Sequence, residues 1–172
     1  MRFFSSIVLL VVTLIASPLS AQQWLDYTNR EYRFSINFPA EPDEEDVSYF
    51  RADGTALSAR SFVAATDNGR YAVTVIVLPD AGFDANTEIE HAVDLLSARG
   101  EIRYEGTTDY DDIPVYELNM IAADGNQIMA TIILYEQHLY FVEAEVSPEM
   151  APPLQFQQSV SPLDANGSAL LQ

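Results

Sequence analysis

Two stretches of this sequence are apolar on both faces of an extended chain, and nothing else in it constrains the fold as much. In "YAVTVIVL", residues 71–78, Tyr71, Val73, Val75 and Val77 fall on one face and Ala72, Ile76 and Leu78 on the other. In 127–135, Ile128, Ala130, Ile132 and Leu134 share one face, with Met129 and Ile133 opposite. A strand of this kind must be covered on both sides, so each belongs in the middle of a sheet with a further layer on each face.

Other strands follow from simpler alternation. Tyr32, Phe34, Ile36 and Phe38 alternate with Arg33, Ser35 and Asn37, the period of a half-buried strand. Pro39 and Pro42 should end it, because proline cannot donate to a ladder. The acids Asp43 to Asp46 then read as a solvated loop, with a short strand near Val47 to Arg51 broken by Asp53-Gly54. Leu57–Thr66 and Arg70–Leu78 flank "DNG", where Asn68-Gly69 predicts a hairpin because both residues tolerate positive φ. Later strands are expected at Glu101–Thr108, Pro114–Ala122, Gln127–Tyr135 and Leu139–Val146, with "ADGN" (Ala123 to Asn126) and Glu136–His138 as turns. In the last strand Tyr140, Val142, Ala144 and Val146 face the core, and Glu143 and Glu145 face water.

One helix is well marked, at Glu88 to Arg99. Ile89, Ala92, Val93 and Leu96 keep helical spacing, and Leu95 widens their face. Thr87 and Glu90 have the spacing of a capping box, and Gly100 fits the position just past the end. A short second helix is predicted at "PPLQFQQSV", with Phe156 and Val160 facing inward. Strands joined by tight turns, with helices between them, predict an α+β domain: an antiparallel sheet with helices packed on it. The expected limits are a single domain over 22–163 and a flexible tail over 164–172.

Met1 and Arg2, the apolar run Ile7 to Ala16 and the small residues of "SPLSA" have the order of a cleavable secretory signal, 1–21, cut after Ala21. The run is short for a membrane span, and no later run is long enough, so the mature chain is expected to be periplasmic or secreted with no span. With no cysteine, burial holds the fold without cross-links. All eight cationic side chains are Arg against 26 acids, for a net charge of −18. That balance argues against nucleic acid and anionic lipid surfaces, and it also suits a cationic partner. Adaptation of a whole proteome to salt or base composition accounts for it as well and is the favoured explanation.

The candidate sites each have a plainer explanation. Asp84, Asn86 and Glu88 match the first ligand spacings of a calcium loop, but Ile89 stands where it needs Gly and Leu95 where it needs Glu. "DYDDIP" (Asp109 to Pro114) and "PDEED" read as polar turns. His91 and His138 read as surface residues, with Glu136 near the second, and a zinc site would need more nitrogen or sulfur ligands. Trp24, Tyr27 and Tyr32 read as packing on the sheet, with the lining of a ligand cleft as the alternative. No nucleophile elbow and no glycine-rich phosphate loop is present. No catalytic, cofactor-binding or metal residue is therefore assigned, and no cofactor is expected.

The pattern "W..Y...EYRFSINFPAEP" from Trp24, the Ala-containing helix and "PPLQFQQS" resemble small exported bacterial proteins of unassigned function with a PsbP-like fold. That fold group includes the photosystem II extrinsic subunit and a nuclear-import factor that binds a small GTPase. The resemblance implies an antiparallel sheet packed between helices. Named members act mostly by binding proteins, so it also implies an accessory domain with an unknown protein partner and no enzymatic role. It carries over no catalytic residue. The alternative is a small-molecule or cation-binding protein, or a weak hydrolase, with an acid-lined cleft.

Overall fold

A computed structural model describes residues 24–79, 82–110 and 112–171. The predicted signal at 1–21 and Asp111 lie outside the described residues. Among these residues the chain builds strands β1 (Leu25–Asn29), β2 (Phe34–Phe38), β3 (Asp43–Phe50), β4 (Ala56–Thr66) and β5 (Gly69–Val77), then helix α1 (Ala85–Ser97). Strands β6 (Gly100–Tyr110), β7 (Ile113–Ala122), β8 (Gln127–Tyr135) and β9 (His138–Val146) follow, then helix α2 (Leu154–Gln158) and strand β10 (Ser161–Pro162).

Seven strands form one antiparallel sheet in the order β3-β4-β5-β9-β8-β7-β6. The doubly apolar strands β5 and β8 lie inside it, on either side of β9, as their patterns require. One face is covered by α1, which buries Ile89, Ala92 and Leu96. Ile76, Leu118, Met120, Ile128, Ile132 and Leu139 meet that side. The other face is not covered by helices alone. A second sheet, β1-β2-β10, lies there with the five-residue α2, so the fold is richer in sheet than the expected helix-covered arrangement. Phe34, Ile36 and Phe38 of β2 are all but fully buried in this second core, with Phe62, Tyr71, Val73, Val142 and Phe156. Trp24, Tyr27 and Tyr32 also pack there, Tyr27 against Phe34, Phe38 and Phe62.

Several local expectations are corrected. The acids of "PDEED" are not a loop but the first half of edge strand β3, paired with β4. Arg60, opposite Asp46, bonds Glu44 and Asp46 at 2.7 Å each, and Asp43 and Glu45 stay exposed. Charged side chains suit an edge strand because they discourage further pairing. The hairpin at "DNG" forms, but neither Asn68 nor Gly69 takes positive φ. Gly69 instead opens β5, where a Cβ would stand 2.5 Å from the Glu145 carbonyl oxygen. Gly100 likewise opens β6 rather than ending α1, and a Cβ there would stand 2.6 Å from the Ile121 carbonyl oxygen. Helix α1 starts one turn earlier than its spacing suggested, because Asp84 is its cap: its carboxylate accepts the Thr87 N–H at 2.8 Å. Glu143 and Glu145 do not simply face water; both meet Arg99 beyond the end of α1.

The segment expected to be a flexible tail folds back on itself over 164–171. The Asp164 carboxylate accepts the N–H groups of Asn166 and Ser168, Leu163 bridges to Ala169, and the Ser161 hydroxyl accepts those of Leu170 and Leu171. Leu170 and Leu171 then pack against the second core, which composition alone did not reveal.

Candidate functional site

The small sheet, α2 and α1 leave the β6 edge of the large sheet exposed. Every residue of β6 is exposed except Gly100 and Gly106, which are half-buried. Ile102, Tyr104 and Tyr110 stand out as large side chains left in solvent. A register shift between Ile102 and Tyr104 marks a bulge, a device that bends an edge strand. A cleft lies on each side of this strand.

The first cleft, about 320 Å³, lies between α1 and β6–β7. Asn86, Glu90 and Asp94 line it from the helix, and Glu105, Thr107 and Tyr116 from the strands. It is acid-lined, yet among the described residues no three His, Asp or Glu side chains converge as a metal site would require.

The second cleft, about 310 Å³, lies on the opposite face, between α2, the C-terminal turn and β6–β8. Its floor follows from strand register. Glu117 of β7 stands directly opposite Thr131 of β8, so their side chains share a face about 5 Å apart. On the other side Glu117 is opposite Gly106 of β6, where a Cβ would collide with the Tyr104 hydroxyl. Tyr104 therefore lies across the bare backbone of Gly106. Gln157 of α2 is buried, and its amide donates to the Ala130 carbonyl at 3.1 Å and to Asn119 Oδ1 at 3.3 Å. Val115, Val160 and Leu171 add apolar walls, and Tyr110 stands at the margin. The Thr131 hydroxyl is buried and has no hydrogen-bond partner. Glu117 makes no ion pair among the described residues.

Of the residues singled out from the sequence, Asn86 lines the first cleft and Tyr110 of "DYDDIP" the second, and the rest lie elsewhere. Asp84 caps a helix, and Asn86 faces the first cleft. Glu88 is buried against Arg51, whose Nε and Nη2 donate to Glu88 Oε1 at 2.8 and 2.6 Å. No local signal pointed to that pair, because 37 residues separate its members. Beside it the Tyr49 hydroxyl is buried, and burial first, then the Glu88 charge, pushes the phenol up to about 12. His91 Nε2 donates to the Phe50 carbonyl at 2.8 Å, and the ring packs edge-on to Tyr49. His91 is thus a clasp between α1 and β3.

His138 stacks on Tyr140, with centroids 6.0 Å apart, and burial, helped by Arg33, lowers its pKa from the ordinary value. Glu136 pairs with Arg33, and that hydrogen bond holds its carboxyl below the usual range. In "DYDDIP", Asp109 and Tyr110 end β6 and Asp112 takes positive φ in the turn to β7.

No protein-family model matches the chain. No curated protein matches it either. Among solved structures, the chain is similar to the solution structure of cyanobacterial PsbP (CyanoP) from Synechocystis sp. PCC 6803. The identity is 12% and the TM-score 0.47, over 76% of this chain and 84% of that one.

Proposed function

We propose that the chain is an exported, non-enzymatic accessory domain of PsbP-like architecture, periplasmic or secreted, that binds a protein partner along β6. One observation carries this reading: an 11-residue edge strand lies exposed with Ile102, Tyr104 and Tyr110 in solvent. Exposed aromatics beside unpaired strand groups suit recognition by a second polypeptide. The opposite edge, β3, differs in exposing a single large apolar side chain, Phe50, beside its four acids. Glu90, Asp94 and Glu105 beside β6 favour a partner with a basic surface.

The test is capture from an extract of the exported fraction, comparing the native chain with Ile102→Ser/Tyr104→Ser and with a control at the far edge, Phe50→Ser. A partner that the control retains, that the β6 variant loses and that rising salt releases supports the reading. Equal recovery by both variants overturns it, provided their melting temperatures match the native chain.

A further inference from the structure

We infer that the cleft between α2 and β6–β8 receives a guanidinium or ammonium group, with the Glu117 carboxylate as its counter-ion and the Thr131 hydroxyl as an acceptor. This deepens the proposed function and rests on it for the source of the group, an Arg or Lys side chain of the partner. The same chemistry in a free small amine is the other source, and the experiment separates them.

The argument starts at Thr131. Its side chain is 1% exposed, lines the cleft, and its oxygen meets no hydrogen-bond partner. Native folds satisfy nearly all buried polar atoms, so one left open at a cavity wall points to a partner that enters the cavity, a water or a ligand. Its cross-strand neighbour decides the ligand's charge. Glu117 is a carboxylate, it lines the same cleft, and no arginine among the described residues pairs with it. An anion placed there would meet Glu117 within a chain of net charge −18. A group carrying several N–H donors and one positive charge satisfies both the carboxylate and the hydroxyl.

The rest of the lining suits such a group. The Tyr110 ring stands at the margin, and aromatic faces attract cations. Val115 and Val160 offer apolar contact for the methylene stem that carries a guanidinium or an amine. Gln157 is held by its bonds to Ala130 and Asn119, so this wall is set before any ligand arrives. A volume of about 310 Å³ is at the small end of ligand pockets and matches one side chain or a small amine.

The test titrates the full mature chain with acetyl-arginine amide and with agmatine, followed by amide NMR shifts. Acetyl-leucine amide and acetyl-glutamate amide serve as controls. The expected result is saturable binding of both cations, weakened by salt, with shifts centred on Glu117 and Thr131 and none from the controls. Glu117→Gln should weaken it roughly tenfold or more, with melting unchanged. Thr131→Val, which fills the same volume, should keep the fold and weaken binding severalfold. Absence of saturable shifts with either cation, or equal binding by Glu117→Gln, overturns the inference and leaves the β6 reading untouched. If Glu117→Gln also loses the partner captured through β6, the group is the partner's own side chain. If the cations bind but partner capture is indifferent to Glu117, the site serves a free amine. If β6 variants keep the partner, the proposed function fails while the titration still decides the cleft.

Discussion

Arg51 and Glu88 form an ion pair shut off from solvent, joining the end of β3 to the first turn of α1. Arg51 is 8% exposed and Glu88 2%, and two guanidinium nitrogens converge on one carboxylate oxygen. The other oxygen, Oε2, is buried without a partner, as is the nearby Tyr49 hydroxyl. Loss of Arg51 strands the Glu88 charge in the interior, and loss of Glu88 leaves Arg51 only its longer pair with Asp53 at 3.3 Å; an uncompensated buried charge is the costly event for such pairs. We expect Glu88→Gln to lower the melting temperature by roughly 10 °C. Arg51→Met with Glu88→Leu should melt higher than either single substitution. Thermal melts of the four chains, followed by circular dichroism, decide it, and a double variant no better than the singles argues against a stranded charge.

Thr131→Val should stabilise the free protein. The hydroxyl is buried without a partner, so replacing it with a methyl removes a desolvation penalty at equal volume. The expected gain is about 1 kcal/mol in urea unfolding. A loss of stability would mean that the hydroxyl has a partner in solution.

Tyr140→Phe should loosen the β1–β2 hairpin. The Tyr140 hydroxyl donates to the Arg33 carbonyl at 2.9 Å and the Tyr32 carbonyl at 3.3 Å, holding the turn in which Arg33 takes positive φ. Its own pKa is raised, chiefly by burial, so it remains a donor at neutral pH. Removal should cost about 1 kcal/mol and increase amide exchange at β1 and β2 more than at β8. Uniform exchange across the chain would contradict a local role.

Stability should fall as pH drops below about 6.5. His138 has a lowered pKa in the folded chain, chiefly through burial, so the unfolded chain takes up its proton first. The contribution of the neutral ring is therefore complete above the unfolded value and declines from there toward the folded one. At lower pH, Glu136, Asp84 and Asp164 act in the same direction. Hydrogen bonds hold their carboxyls below the usual range, and the stability they add is lost as pH falls through their folded values. Urea midpoints across this range should show the first decline in the native chain and lose it in His138→Phe. An unchanged slope in that variant would assign it to other groups.

Gly69→Ala should destabilise even though φ at Gly69 is ordinary. The new methyl would meet the Glu145 carbonyl oxygen and Val146 Cγ1 at 2.5 and 2.7 Å. Backbone would have to shift, at a cost of about 1–3 kcal/mol by urea unfolding. A neutral result would mean that β5 and β9 part easily at this end.

Much of this fold was legible along the chain, because alternation reports directly which faces of a strand meet a core. The patterns of 71–78 and 127–135 placed β5 and β8 inside a sheet, and the alternation from Tyr32 placed β2. Those patterns demanded two covering layers without saying what the layers were. Strand β1 has three polar residues in five and little periodic signal, and the acids of β3 resemble a loop as much as a protected edge. Only pairing with β2 and β4 distinguishes them from loops. The cleft was hidden for the same reason. Glu117 and Thr131 become neighbours through the register of β7 on β8, and Gln157 joins them from a helix packed across that face. Local sequence can state the chemistry of each residue. Whether a carboxylate or a hydroxyl is solvated, paired or left buried depends on which distant segments close over it, and that is a property of the packed chain.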